Sequence, residues 1–447
     1  MVVFRAVGFL VLSMIIFQHK PVFGSKILVA ATSGMSSHMI SALEIAKTLS
    51  ARGNRVWLII EEETYNTYVH GRIEIPDQIR NVFFKLMSVS HKDGDIYLRR
   101  YIFKQLRDSQ ANSALQYRTE AEDREMEKRL GGKKVDVFKA SSFVIDDMLG
   151  NKEVIENLKT VGFDMIIGDV VSLYHVFLSQ VLKVPCIQFG LTSMVPSQHD
   201  RFAFNPSYSA YMPERLSSLT DVMTFRERTT NALLYLVTGY FYYHYMLTPM
   251  DAVLRKRNIR PDANFGQLLS EAAMWIFNSD FVFDFPRPLS PHVKFVGGVL
   301  TGPSKSLDEE WQSFVDGAGE HGFVIMALGT LISDELTDQQ AESIASSLAL
   351  LPQKVAWSYS GKLPKTLGNN RMSAIARDRA SPMTGLEEVA YWVEYAVRHG
   401  TDHLKPRAMQ LSFVQYYLLD VIAITVVMVT IMCFCFAVFR RKMFKNN

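Results

Sequence analysis

The chain has 447 residues, with 48 Lys and Arg against 45 Asp and Glu, a net charge of +3, and a hydrophobic share of 48%. At roughly 100–200 residues per domain this length fits two or three domains, and so apolar a composition, with 21% charged residues, excludes a mostly disordered chain. Near-balanced charge gives no reason to expect nucleic-acid binding, and 3 cysteines exclude a disulfide scaffold or a four-cysteine zinc cluster.

The charge is unevenly placed. Residues 1–24 hold Arg5 and Lys20 and no acid. Their uncharged core Ala6–Phe17, followed by Val22 and Gly24, predicts a signal peptide cut near Ser25. Lys26–Thr32 is a short apolar run stopped by Ser33-Gly34, which predicts a buried strand. Ser36–Ser50 repeats Met39, Leu43, Ala46 and Leu49 at helical spacing, and Arg52-Gly53-Asn54-Arg55 ends it before the strand Val56–Ile60. Strand, helix and strand with short connections predict a right-handed parallel unit.

Residues 80–160 read as largely helical and charged. Asp93-Gly94-Asp95 within them reads as a turn rather than a metal-binding Asp-x-Asp. Met165–Gly168 is a strand running into Asp169, followed by a helix over Ser172–Leu182 and a strand over Pro185–Phe189. Thr229–Met250 is uncharged, with Asn231, His244 and Tyr235, Tyr240, Tyr242, Tyr243 and Tyr245. Tyrosine favours the membrane interface over the lipid centre, so this stretch is expected to be a core or surface-lying helix rather than a span.

Prolines 286, 288 and 291 predict a stiff, extended connector, which divides the body into two α/β halves. In the second half, Phe323–Leu328 is expected as a buried strand ending in Gly329-Thr330. A helix over Thr337–Leu350 with a capping box at Thr337–Gln340 follows, then the strand Val355–Tyr359. Thr384–Glu387 reads as a second capping box, opening a helix whose stripe is Leu386, Val389, Ala390, Val393 and Val397. Val421–Phe439 is uncharged, about 28 Å long as a helix, and is followed by Arg440-Arg441-Lys442. This predicts one transmembrane helix with its basic tail, 440–447, in the cytoplasm and the body on the other side. Cys433 and Cys435 lie in that span, leaving Cys186 as the only thiol of the body. His399 and His403 are separated by Gly400 and lack a partnering glutamate, so no metal site is expected there.

In an open parallel sheet, ligands bind beyond the carboxyl ends of the strands. Three candidates fall there. His38 lies in the first turn after the first strand, Asp169 ends the third, and Gly329-Thr330 end the first strand of the second half. A histidine with a nearby carboxylate can take a proton from a hydroxyl, while a glycine-threonine turn can offer amides and a hydroxyl to phosphate. Each also has an ordinary reading, as a polar residue at a helix start, a helix cap or a simple strand-to-helix turn.

Several segments together resemble the membrane-bound UDP-glucuronosyltransferases within the wider UDP-glycosyltransferase family. They are Ser25–Arg55, Phe163–Asp169, Asn278–Pro288 (NSDFVFDFPRP), Phe295–Val299, Val324–Thr330, Gln353–Gly361, Ala390–His399 (AYWVEYAVRH), Asp402–Leu404 and Tyr416–Asp420 with the apolar stretch beyond. The resemblance implies two facing Rossmann-like domains of the GT-B type. An acceptor-binding domain would occupy 25–285, a linker 286–300, and a UDP-sugar-binding domain 301–420. It implies direct inverting displacement at the anomeric carbon, with no metal and no cofactor besides the UDP-sugar donor. His38 matches the general base, Asp169 its partner carboxylate, and Gly329 and Thr330 the turn that touches the diphosphate. The acceptor would be a small lipophilic hydroxyl or carboxyl compound. The protein would sit in the endoplasmic reticulum membrane with its body luminal, alone or associated with family members.

The sequence departs from that pattern after Gly361-Lys362. The family's Trp-x-Pro-Gln, His-Gly-Gly, Gly-Val-Pro and Asp-Gln signatures are missing, and Leu367–Asn370 runs directly into Met372–Arg379, which resembles a later segment. The donor-binding domain is therefore expected to lack several tens of residues and about three strands, leaving unpaired strand edges. Two readings follow: an enzyme of this type, impaired or silent in this form, or an inactive membrane-anchored family member that binds acceptors or partners.

Overall fold

The computed structural model describes residues 24–32, 36–62, 75–84, 137–215, 217–301, 309–328, 336–359 and 385–405, with isolated positions elsewhere. Its centre is a parallel sheet of seven strands. They are β1 (Lys26–Ala30), β2 (Arg55–Glu61), β3 (Arg80–Phe84), β4 (Met165–Asp169), β5 (Cys186–Gly190), β6 (Met274–Phe277) and β7 (Val293–Phe295). The spatial order is β3-β2-β1-β4-β5-β6-β7. The chain thus winds outward from β1 through β2 to β3, then returns to β1's other side with β4. That reversal between β1 and β4 is the switch point at which open α/β sheets form ligand crevices.

The strands are buried on both faces, which is why they read as unbroken apolar runs rather than alternating ones. One face buries Leu28, Trp57, Ile166, Trp275 and Phe277 under α2 (Val137–Gly150), α3 (Lys152–Val161), α4 (Tyr174–Leu182), α6 (Thr248–Lys256) and α7 (Phe265–Ser270). The other buries Val29, Leu58, Ile167, Phe189 and Ile276 under α1 (Ser36–Ala51), where Met39, Leu43, Ala46 and Leu49 point inward. Helix α5 (Phe225–Phe241) runs over the surface and passes through a π-helical turn, Tyr242–Leu247, into α6.

Three expectations need correction. Arg80–Phe84, placed in a helical region, is the edge strand β3, in parallel register with β2 from Trp57↔Arg80 to Glu61↔Phe84. The segment 286–300 is no free connector. It contains β7, and its Arg287 is buried, bonded to Asp284 at 3.0 Å and to Asp200 at 3.3 Å. Asn205 completes this cluster by donating to Asp200 (2.8 Å) and accepting from the Ser290 amide (2.7 Å). Prolines stiffen the segment, but the buried guanidinium ties it to the first half, since a buried charge is tolerated only when paired.

The third correction concerns the second half. Its described sheet has two strands, β8 (Phe323–Ala327) and β9 (Lys354–Ser358), parallel and connected through α9 (Asp338–Leu348); α8 (Glu309–Asp316) precedes them. Thr337 caps α9 in a complete capping box with Gln340. β8, expected to be buried, is half-exposed, with Phe323 at 41%. With two strands and one helix layer, only Ala341, Ala345 and Trp357 form a buried cluster among the described residues.

Helix α10 (Gly385–His399) does not depend on this second sheet. Its Val389, Ala390, Val393 and Ala396 are buried in the first half's core, beside α1 and the strands. Glu394 accepts from Arg52 Nε at 3.0 Å and Nη2 at 2.8 Å and from Asn54 Nδ2 at 3.0 Å. Gly385 sits against the 297–299 backbone, where a Cβ would lie 2.7 Å from the Gly297 carbonyl oxygen and the Val299 nitrogen. Neither backbone atom can give way, so Gly385→Ala should cost about 1–3 kcal/mol as overpacking, with faster amide exchange at Val299. Unchanged urea unfolding would show that α10 does not dock there.

Among the described residues no helix is long and apolar enough to cross a membrane. Most of the expected signal peptide, part of the 421–439 span, Asp93–Asp95 and Thr384 lie outside the described residues. The described positions of that span, 423–424, 426–432 and 434, are helical and exposed.

Candidate functional site at the switch point

β1 ends at Ala30, and α1 begins six residues later, so the chain turns back over the sheet and brings His38, in the first turn, above the carboxyl ends of the strands. β4 ends at Asp169 itself. Because β1 and β4 are paired in parallel, from Ile27↔Met165 to Ala30↔Gly168, the two ends lie side by side. His38 Nδ1 meets Asp169 Oδ2 at 2.6 Å, with both side chains buried.

The rest of the carboxylate is used locally. Asp169 Oδ1 accepts from the Val171 amide at 2.7 Å, an Asx turn that fixes its rotamer. Helix α4 starts only at Tyr174, after Leu173 in a left-handed conformation (φ 58°), so Asp169 anchors a turn rather than capping the helix. Burial works against a charged His38 ring, but the charge and hydrogen bond of Asp169 outweigh it, and the His38 pKa is raised above 6.5. With Nδ1 committed to the carboxylate, Nε2 is the ring atom available to a ligand proton.

Two supporting residues carry no sequence signal. Tyr174 Oη donates to the Ala31 carbonyl at 2.7 Å and reaches the Ile59 carbonyl at 3.2 Å, tying α4 to the ends of β1 and β2. His175 Nε2 bonds Gln188 Oε1 at 2.9 Å, and its ring fills the space that a Cβ on Gly168 would occupy. Burial pushes the His175 pKa down to about 4, so it packs as a neutral ring. Gly168 could be singled out by its place in an otherwise bulky strand, whereas Tyr174 is visible only once β1, β2 and α4 are assembled.

Gly329 and Thr330 lie outside the described residues. Tyr395 Oη bonds His403 Nε2 at 2.8 Å. Among the described residues no group of three or more His, Cys, Asp or Glu side chains could hold a metal ion. Cys186 is buried and unpaired, and burial pushes its thiol up to about 11, leaving it an inert core residue.

The His38–Asp169 pair makes a titration prediction. Because the folded-state pKa lies above 6.5, the ionic share of the pair's stabilisation is complete below pH 6.5 and is lost as pH rises through the folded value. Asp169→Asn removes the carboxylate's charge and leaves burial unopposed, so the His38 pKa should fall. NMR titration of the His38 ring in both proteins measures this, and an unmoved pKa would show that the pair is not ionically coupled.

The chain matches the family model "UDP-glucoronosyl and UDP-glucosyl transferase" over residues 25–375 and again over 369–447. It is 36% identical over 230 residues to UDP-glucuronosyltransferase 2C1 of Oryctolagus cuniculus, covering 51% of this chain and 45% of that protein. It is 28% identical over 382 residues to UDP-glucuronosyltransferase 1-2 of Rattus norvegicus, covering 64% and 70%. It is 35% identical over 236 residues to 2-hydroxyacylsphingosine 1-beta-galactosyltransferase of Rattus norvegicus, covering 53% and 43%. The chain thus spans less than half the length of two of these relatives. Among solved structures, the glycotransferase of kitacinnamycin aligns at a TM-score of 0.44 and 16% identity, covering 79% of this chain and 70% of that one. With nearly its whole length from residue 25 matched, the chain belongs to the UDP-glucoronosyl and UDP-glucosyl transferase family.

Proposed function

We propose that this chain carries the acceptor side of a UDP-sugar transferase of the UDP-glucuronosyltransferase type. The observation that supports it most directly is the buried 2.6 Å contact between His38 and Asp169 at the switch point of the first sheet. In the reaction, His38 Nε2 takes the proton of a small lipophilic hydroxyl or carboxyl acceptor. The acceptor oxygen forms a bond to the anomeric carbon from the face opposite UDP, the bond from that carbon to the β-phosphate oxygen breaks, and UDP leaves as an anion. The configuration inverts. Asp169 stabilises the imidazolium that forms, and Val171 N–H holds the carboxylate in place.

The same reading gives the chain a two-domain GT-B plan, with the acceptor side built on residues 25–285 and covered by α10, and the donor side on residues from 301 up to α10. This reading assigns Gly329 and Thr330 to contact with the donor's diphosphate. The signal peptide 1–24 and a transmembrane helix at 421–439 place the body in the lumen of the endoplasmic reticulum, alone or beside a second family member. In a form with a complete donor side, His38→Ala should lower kcat by at least about 10²-fold, the usual cost of losing a general base. Full activity of that variant would clear His38 of the role.

A second reading, that this form lacks turnover, is supported by three observations. The two stretches that match the family model meet at residues 369–375. The 382-residue alignment to the rat relative takes in only 64% of this 447-residue chain, so that relative holds residues with no counterpart here. The described second sheet has two strands. Isothermal titration of the full chain with UDP should then show no saturable heat. Micromolar UDP binding together with sugar transfer would overturn this second reading and leave the first intact.

A further inference from the structure

Helix α5 is built inside out. The side that meets the body carries Asn231, which donates to the Ser209 and Met212 carbonyls at 2.9 and 2.6 Å and accepts from the Glu214 amide at 2.7 Å. Gly239, the other buried residue of the helix, approaches the Ser197 backbone. The outward side carries Phe225 (77% exposed), Leu233 (58%), Leu236 (65%), Val237 (51%) and Tyr240 (59%). Their spacing puts them on one face. The ridge continues through the π-turn, where Phe241 stacks on Tyr245 at 5.5 Å and Tyr240 meets His244 at 4.2 Å. A surface helix in water turns its apolar stripe inward, and a contiguous exposed apolar patch marks an interaction site.

We propose that the outward face of α5 lies in the interface of a lipid bilayer, with the helix in the membrane plane. Three features select lipid over a protein partner. First, the carboxyl end of the ridge carries exposed Tyr240 and Tyr245, and tyrosine settles at headgroup level. Second, exposed Arg226 and Arg228 lie at the amino end, while Glu227 between them is drawn into the Thr224 cap, which leaves positive charge for anionic headgroups. Third, the three hydrogen bonds of Asn231 hold one edge of the helix on the body, so the apolar face can enter the interface without the helix spanning it. The proposal is independent of whether residues 421–439 span the membrane.

The test uses the full chain carrying Cys433→Ser and Cys435→Ser, in which Cys186 is buried, reconstituted with phosphatidylcholine–phosphatidylserine vesicles. A nitroxide is attached at Leu236→Cys, at Glu156→Cys on α3 as an aqueous reference, or at Val427→Cys in the carboxyl-terminal apolar stretch. Power saturation with oxygen and with a water-soluble nickel chelate reads lipid against water. The proposal expects Leu236 to favour oxygen over the chelate severalfold relative to Glu156, whatever Val427 shows. An aqueous signal at Leu236 beside a lipid signal at Val427 overturns the proposal while leaving the anchor standing. Dipolar broadening at Leu236, from a second copy on this face, overturns it. So does protection from both relaxants without broadening, which would mean that the chain covers the helix itself.

Discussion

The contact on which the site depends joins residues 131 positions apart, and it exists because β1 and β4 are neighbours. A histidine one turn into a helix and an aspartate at the end of a strand are unremarkable alone. Parallel pairing puts the two chain ends on the same edge of the sheet, where the winding reverses, the place at which open α/β sheets bind ligands. Burial then gives the pair its chemistry. A carboxylate 2.6 Å away in a dry setting holds one ring nitrogen and raises the proton affinity of the other, which a solvent-exposed pair would do far less well. Tyr174 and the Val171 amide keep the geometry by tying both strand ends to the start of α4.

Among the described residues the first sheet has seven strands and the second has two. Seven strands bury both faces, and the helix layer on one side is finished by α10, which comes from beyond the point where the family match breaks. Glu394 is nearly buried and fully committed to Arg52 and Asn54, so removing either side would leave a polar group without its partner. Helix α10 therefore belongs physically to the body built on the first sheet. In the described β8–β9 pair, Phe323 stays 41% exposed.

The central elements could be read in the sequence because their signals are local. Val29, Leu58, Ile167 and Phe189 sit in runs of apolar residues bounded by glycine or charge, the pattern of strands covered on both sides. Thr337 and Gln340 announce their helix through a capping box that both bonds complete. Arg80–Phe84 was hidden because an edge strand is half-covered and its RNVFF has no long apolar run. The prolines after Phe285 pointed to a free connector. The Arg287 guanidinium that pins this segment bonds Asp200, 87 residues away, a pairing that no local pattern encodes.

From the sequence alone came the strand–helix alternation, the chemical types of His38 and Asp169, and the broken pattern after Gly361, since each is a matter of residue order. The meeting of His38 with Asp169, the return of α10 to the first sheet and the outward turn of the apolar face of α5 were decided only by the tertiary structure. Such pairings depend on which distant elements share an edge or a face. In α5 a buried Asn231 with three partners outweighs the ordinary preference of leucine and phenylalanine for the interior.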